Sequence, residues 1–139
     1  MQEQDHILIE QSGGIGRLTF NRPKKLNAFN NEMMRSAMAA MDNFAVDDDV
    51  HVVIVSGAGR AFSVGGDYEH LQEVLGDQAA VAGLMKEARD IVHNIINLDK
   101  PVISAINGYA VGAGLAVALV SDISIASEEA RILDGHVVL

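Results

Sequence analysis

The stretch Lys100-Pro101-Val102-Ile103-Ser104-Ala105-Ile106-Asn107-Gly108-Tyr109-Ala110-Val111-Gly112-Ala113-Gly114 decides how this chain folds. Pro101 ends the element before it, because proline has no N–H to donate and biases the residue before it away from helix. Residues 102–106 form an apolar, partly β-branched run and read as a strand. Asn107 and Gly108 turn the chain, and Gly112 and Gly114 lead into a small apolar helix ending near Val120. A second such run, residues 50–55, is interrupted only by His51 and bounded by Ser56, Gly57 and Gly59. Apolar strands of this kind are covered on both faces in parallel sheets, so an α/β fold with a mainly parallel sheet is expected.

Residues 6–11 and 16–20 are short apolar-rich runs separated by Ser12, Gly13 and Gly14, the pattern of a β-hairpin at a sheet edge. From Asn30, a suitable N-cap, the period becomes helical: Met33, Ala37, Met41 and Phe44 share a face with Met34 and Met38. That helix ends in the acidic loop 47–49. A longer helix is expected over residues 79–97, where Leu84, Ala88, Ile91, Ile95 and Leu98 recur at intervals of four and three. Residues 123–126 supply a further strand. With no internal repeat, low-complexity tract or linker, residues 1–139 read as one domain.

Composition narrows the function. The 139 residues are 49% apolar and only 4% aromatic, enough for a soluble α/β core. A net charge of −9 argues against nucleic acid or an anionic membrane as partner, since both are bound through Lys and Arg. The chain has no cysteine, which excludes disulfides, thiolate catalysis and Cys-based zinc sites. The nearly apolar run 109–120 is shorter than the roughly 20 residues a bilayer span needs. Met1 is followed by Gln2, Glu3, Gln4 and Asp5, neither a basic start nor an apolar segment, so a cytoplasmic protein is expected.

Two segments, Ala61-Phe62-Ser63-Val64-Gly65-Gly66-Asp67 and the 100–114 stretch, closely resemble the enoyl-CoA hydratase/isomerase (crotonase) family. Asn21-Arg22-Pro23 with Leu26-Asn27-Ala28, and Ser121-Asp122-Ile123, support the match, which covers nearly the whole chain and corresponds to the N-terminal half of such proteins. The resemblance implies a ββα spiral with the C-terminal helical region absent, an acyl-CoA thioester as substrate, no further cofactor and no metal. It also implies a homo-oligomer, a trimer or hexamer. Proteins of this kind collect negative charge on the thioester oxygen and hold it with two backbone N–H donors. The motifs assign those donors to Gly66 and Ala113, the second at a helix N-terminus. Position 113 is alanine where the family usually has glycine, yet any residue but proline supplies the N–H. Further substrate or CoA contacts are implied at Lys24, Lys25, Ala28, Ala61, Asp67, Tyr68 and Gly112.

The sequence departs from the family at its acid and base. Hydration asks one group to activate water and another to deliver a proton, roles the family fills with two glutamates. Their positions fall here at Ala116, whose methyl transfers no proton, and at His136, a credible general base. His136 with one-base chemistry, isomerisation or thioester or C–C hydrolysis, therefore stands beside a non-catalytic CoA-binding or scaffold role. His70, just past the first glycine segment, is a further candidate for the pocket, while His51 and His93 read as structural. Asp67 reads as a cap for the next helix rather than as part of the oxyanion hole. Ser63 lacks the glycine-serine-glycine elbow of a serine hydrolase. Val117 occupies the third glycine position of a dinucleotide fingerprint, which weakens that reading. The chain stops soon after His136, and an apolar edge at Val137, Val138 and Leu139 predicts self-association or a partner.

Overall fold

A computed structural model of the protein describes residues 5–135. The chain enters through β1 (Ile7–Ser12) and β2 (Ile15–Phe20), paired antiparallel with Ser12 opposite Ile15. Gly13 and Gly14 between them have φ of 58° and 80°, the left-handed pair that a two-residue hairpin demands. Asn30 then caps α1 (Asn31–Val46), its side chain accepting from the Met33 N–H at 3.0 Å. The buried stripe of α1 is the expected one with Ala40 added, and Met38 lies at its half-buried margin.

Next come β3 (Val52–Gly57), β5 (Val102–Ile106) and β7 (Ile123–Ala126), all parallel, completing a five-stranded sheet in the order β1-β2-β3-β5-β7. β3 starts two residues later than its apolar run. The His51 and Val52 N–H groups both turn to Gly14 O, at 2.8 and 3.3 Å, so His51 lies in the approach to the strand. Cover is also uneven, with Val53 and Val55 buried while Val52 and Ile54 on the opposite face are half-buried. Phe20 anchors the core, with Phe29 and Phe62 edge-on to it at ring-centre distances of 5.1 and 5.5 Å.

A second sheet is built from β4 (Ala61–Ser63), β6 (Tyr109–Val111) and β8 (Arg131–Leu133), three parallel strands of three residues each. The pairs β3-β4, β5-β6 and β7-β8 are successive turns of a spiral that passes from the large sheet to the small one. Helices α2 (Tyr68–Val74) and α3 (Gln78–Ile96) close the first turn, and α4 (Ala113–Leu119) closes the second. The ββα unit repeats in geometry without a repeat in sequence, because backbone pairing defines it. Its corners are tight. A Cβ on Gly57 would lie 2.2 Å from Ala61 O, and one on Gly108 would lie 2.0 Å from Arg60 O. Asn107 ties neighbouring corners together, accepting from the Gly57 N–H at 3.0 Å and donating to Gly59 O at 3.0 Å.

At the far end of the spiral, Ile123 and Ile125 of β7 and Ile132 and Leu133 of β8 are more than half exposed. The apolar edge expected at Val137, Val138 and Leu139 lies outside the described residues. No helix among the described residues is long and apolar enough to cross a membrane.

Candidate functional site

Two loops leave the small sheet side by side. β4 runs into Val64, Gly65 and Gly66, and β6 runs through Gly112 into α4. They meet at backbone distance: a Cβ on Gly65 would lie 3.0 Å from Val111 O and 3.1 Å from Ala113 N. One on Gly114 would lie 2.2 Å from Ser63 O. Beside this contact opens a cavity of about 490 Å³ lined by Gly65, Gly66, Gly112 and Ala113, with walls from Phe29, Met34, Leu71, Leu84, Met85 and Ala88. The N–H groups of Gly66 and Ala113 have no acceptor among the described residues. For Ala113 the reason is positional, since the first N–H groups of a helix have no partner within it.

A buried polar network holds the first loop. Asn27 is 0% exposed and sits at φ 56°. Its Nδ2 donates to Ala58 O at 2.9 Å and to Ala61 O at 2.8 Å, and its Oδ1 accepts from the Arg22 N–H at 2.8 Å. Ser63 Oγ donates to Asn27 O at 2.8 Å and accepts from the Gly65 N–H at 3.1 Å. Asp67 pairs with Arg22 at 2.8 Å, with side chains only 8% and 15% exposed, and caps α2 by accepting from the Glu69 N–H at 3.1 Å. Burial pushes the Asp67 carboxyl up. The hydrogen bond and charge of Arg22, the Glu69 N–H and the charge of Lys25 outweigh it and hold the group below the ordinary carboxylate range.

Of the residues expected to meet substrate, the cavity brings together Gly66, Gly112 and Ala113. Lys24 and Lys25 are exposed in a 3-10 turn (Pro23–Lys25), where Lys25 Nζ pairs with Glu69 at 2.7 Å. Ala28 and Ala61 are buried, Asp67 is engaged by Arg22, and Tyr68 is 72% exposed. None of these six lines the cavity, nor does the half-buried Ala116. His136 lies outside the described residues, while Gly135 before it is part of the lining. His70 is not part of the lining; its Nε2 lies 2.9 Å from Oδ1 of the cavity residue Asn31. His51 and His93 are exposed.

One polar lining residue escapes a reading by motif. Glu87 of α3 is half-buried, and its Oε2 is shielded from solvent with no hydrogen-bond partner among the described residues. Its spacing was the available signal: Glu87 falls three residues after Leu84 and four before Ile91, inside the apolar stripe. No cluster of His, Asp and Glu able to hold a metal occurs among the described residues.

These features define a class: α/β proteins in which ββα turns wind between two sheets and present two backbone loops to one cavity. The Enoyl-CoA hydratase/isomerase family model matches residues 10–136, and the chain belongs to that family. It is similar to a probable peroxisomal enoyl-CoA hydratase 1 of Arabidopsis thaliana, with 39% identity over 128 residues, covering 91% of this chain and 46% of the relative. It is also similar to the 1,2-epoxyphenylacetyl-CoA isomerase of Escherichia coli K12, 36% identical over 129 residues, 91% of this chain and 49% of the relative. Among solved structures, an enoyl-CoA hydratase/isomerase from Xanthobacter autotrophicus Py2 superimposes with a TM-score of 0.89 at 36% identity, covering 93% of this chain and 48% of that one. The chain thus spans about half the length of the relatives it matches.

Proposed function

We propose that the chain binds acyl-CoA thioesters with the carbonyl oxygen between the Gly66 and Ala113 N–H groups, which stabilise the enolate formed when the neighbouring carbon loses a proton. The observation that carries this reading is the pair of acceptor-free backbone donors brought by separate loops to one largely apolar cavity. Donors fixed by the fold meet developing charge without reorganising, and removing one such donor costs about 100- to 1000-fold in rate. The apolar wall suits an acyl chain, and the exposed Lys24 and Lys25 are the corresponding proposal for the CoA phosphates. His136 acting as a single base in isomerisation or hydrolysis is the corresponding proposal for turnover.

A second reading, CoA binding without turnover, is favoured by Ala116, which brings no proton-transfer group and does not line the cavity. The exposed isoleucines of β7 and β8 support self-association, as a cytoplasmic trimer or hexamer, which light scattering checks.

The test is calorimetric titration with butyryl-CoA of the chain and of Ala113→Pro. Proline is tolerated at the first position of a helix, so this variant deletes one donor while α4 persists. Binding weakened at least about tenfold, with the melting temperature retained, is the expected result, a loss in the range of one hydrogen bond whose buried acceptor is left unpaired. Equal binding by both proteins would remove the carbonyl from this site.

A further inference from the structure

We propose that Glu87 is the acid–base group of this cavity, the carboxylate that exchanges a proton with the carbon next to the thioester carbonyl; the inference rests on the acyl-CoA reading above. Three observations converge on it. Glu87 shares the cavity lining with both backbone donors, Gly66 and Ala113. Its Oε2 is buried with no hydrogen-bond partner among the described residues, which ordinarily destabilises a fold. The cations beside it on α3 do not relieve this, because Lys86 pairs with Asp90 and Arg89 also turns to Asp90, at 3.5 Å. A carboxylate oxygen shielded in an apolar stripe, on the lining of the cavity that holds both free donors, is positioned for chemistry rather than for stability.

The step balances within the site. Glu87 takes the proton from the carbon adjacent to the carbonyl, the C–H electron pair moves into the C=C bond of the enolate, and the oxygen charge is held by the Gly66 and Ala113 N–H groups. Reprotonation by Glu87 reverses each movement. Because position 116 carries no proton-transfer group, this proton is assigned to α3, in place of the single base at position 136 considered above. Neither oxidant nor co-substrate is required.

The experiment measures butyryl-CoA binding by calorimetry, and deuterium uptake from D2O at the carbon next to its carbonyl by mass spectrometry, for the chain and for Glu87→Gln and Glu87→Asp. The parent is expected to bind and exchange. Glu87→Gln, of nearly identical shape, is expected to bind within about threefold and to melt no lower, while exchange falls about 100-fold or more, the usual contribution of a positioned acid–base group. Glu87→Asp, one methylene shorter, should recover part of the rate, which a merely structural role does not predict. Undiminished exchange in Glu87→Gln, or a parent that binds without exchanging, overturns the assignment to Glu87. A parent that does not bind butyryl-CoA overturns the acyl-CoA reading itself, and the assignment with it.

Discussion

The two loops that carry the candidate donors are built on different principles. The Gly66 loop hangs from a buried polar network in which Asn27, Ser63, Arg22 and Asp67 bind its backbone or one another. Among the described residues the Gly112–Ala113 loop has no such side chains; the Gly112 N–H donates to Leu133 O at 3.2 Å, and steric closeness does the rest, with Gly114 against Ser63 O and Gly65 against Ala113 N. The first is specified by hydrogen bonds that can be removed one at a time. The second depends on the first, because the surface it packs on is the other loop's backbone.

The sharpest way to separate them is Asp67→Ala, which takes the carboxylate from the half-buried Arg22 and leaves its guanidinium only Ala28 O. A loss of about 3–5 kcal/mol in urea unfolding is expected. Amide exchange should accelerate at residues 63–67 more than at 111–114. Gly114→Ala attacks the contact between the loops instead. Its Cβ would meet a backbone oxygen at 2.2 Å, so a loss of about 3 kcal/mol is expected, with both loops loosened together. If only the first loop responds, the dependence of the second on it is disproved. Ser63→Ala removes one donor and one acceptor from the network and should cost about 2 kcal/mol by thermal melting.

A pH titration sharpens the comparison further. The folded Asp67 carboxyl lies below the ordinary value of 3.8, so its contribution is fully present above about pH 4 and is lost as pH falls through the folded value. Stability should therefore drop on the acid side, and Asp67→Asn should make that drop shallower. Asp47 and Asp90 are also held low, by the Asp49 N–H with Gln11 and by Lys86 respectively, so some slope should survive. The smallest effect belongs to Ala113→Gly, which removes only a methyl at the start of α4. A change of about 0.5–1 kcal/mol in stability and little change in butyryl-CoA affinity are expected.

Legibility follows the same division. The large sheet and α1 could be read because long β-branched runs and a continuous methionine-rich stripe show their periods. β4, β6 and β8 could not, since three residues carry no period. The two glycine loops stood out because backbone approach demands glycine at Gly114 and a left-handed φ at Gly65 and Gly112. Glu87 did not, because a glutamate on a helix ordinarily faces water, and only the packing of α3 over the loops turns it inward.

By itself the sequence determined the α/β class, the family, the hairpin, the caps at Asn30 and Asp67, and the backbone segments that meet at the site. These depend on local steric and hydrogen-bonding preferences, which residues carry with them along the chain. Tertiary structure alone decided that the segments face one cavity, that Lys24, Lys25 and Tyr68 stay outside its wall, and that a carboxylate from α3 enters it. Those are relations between residues far apart in the chain, set by how the sheets pair and the helices pack; a local pattern such as the place of Glu87 in its stripe gives a face and not the cavity it meets.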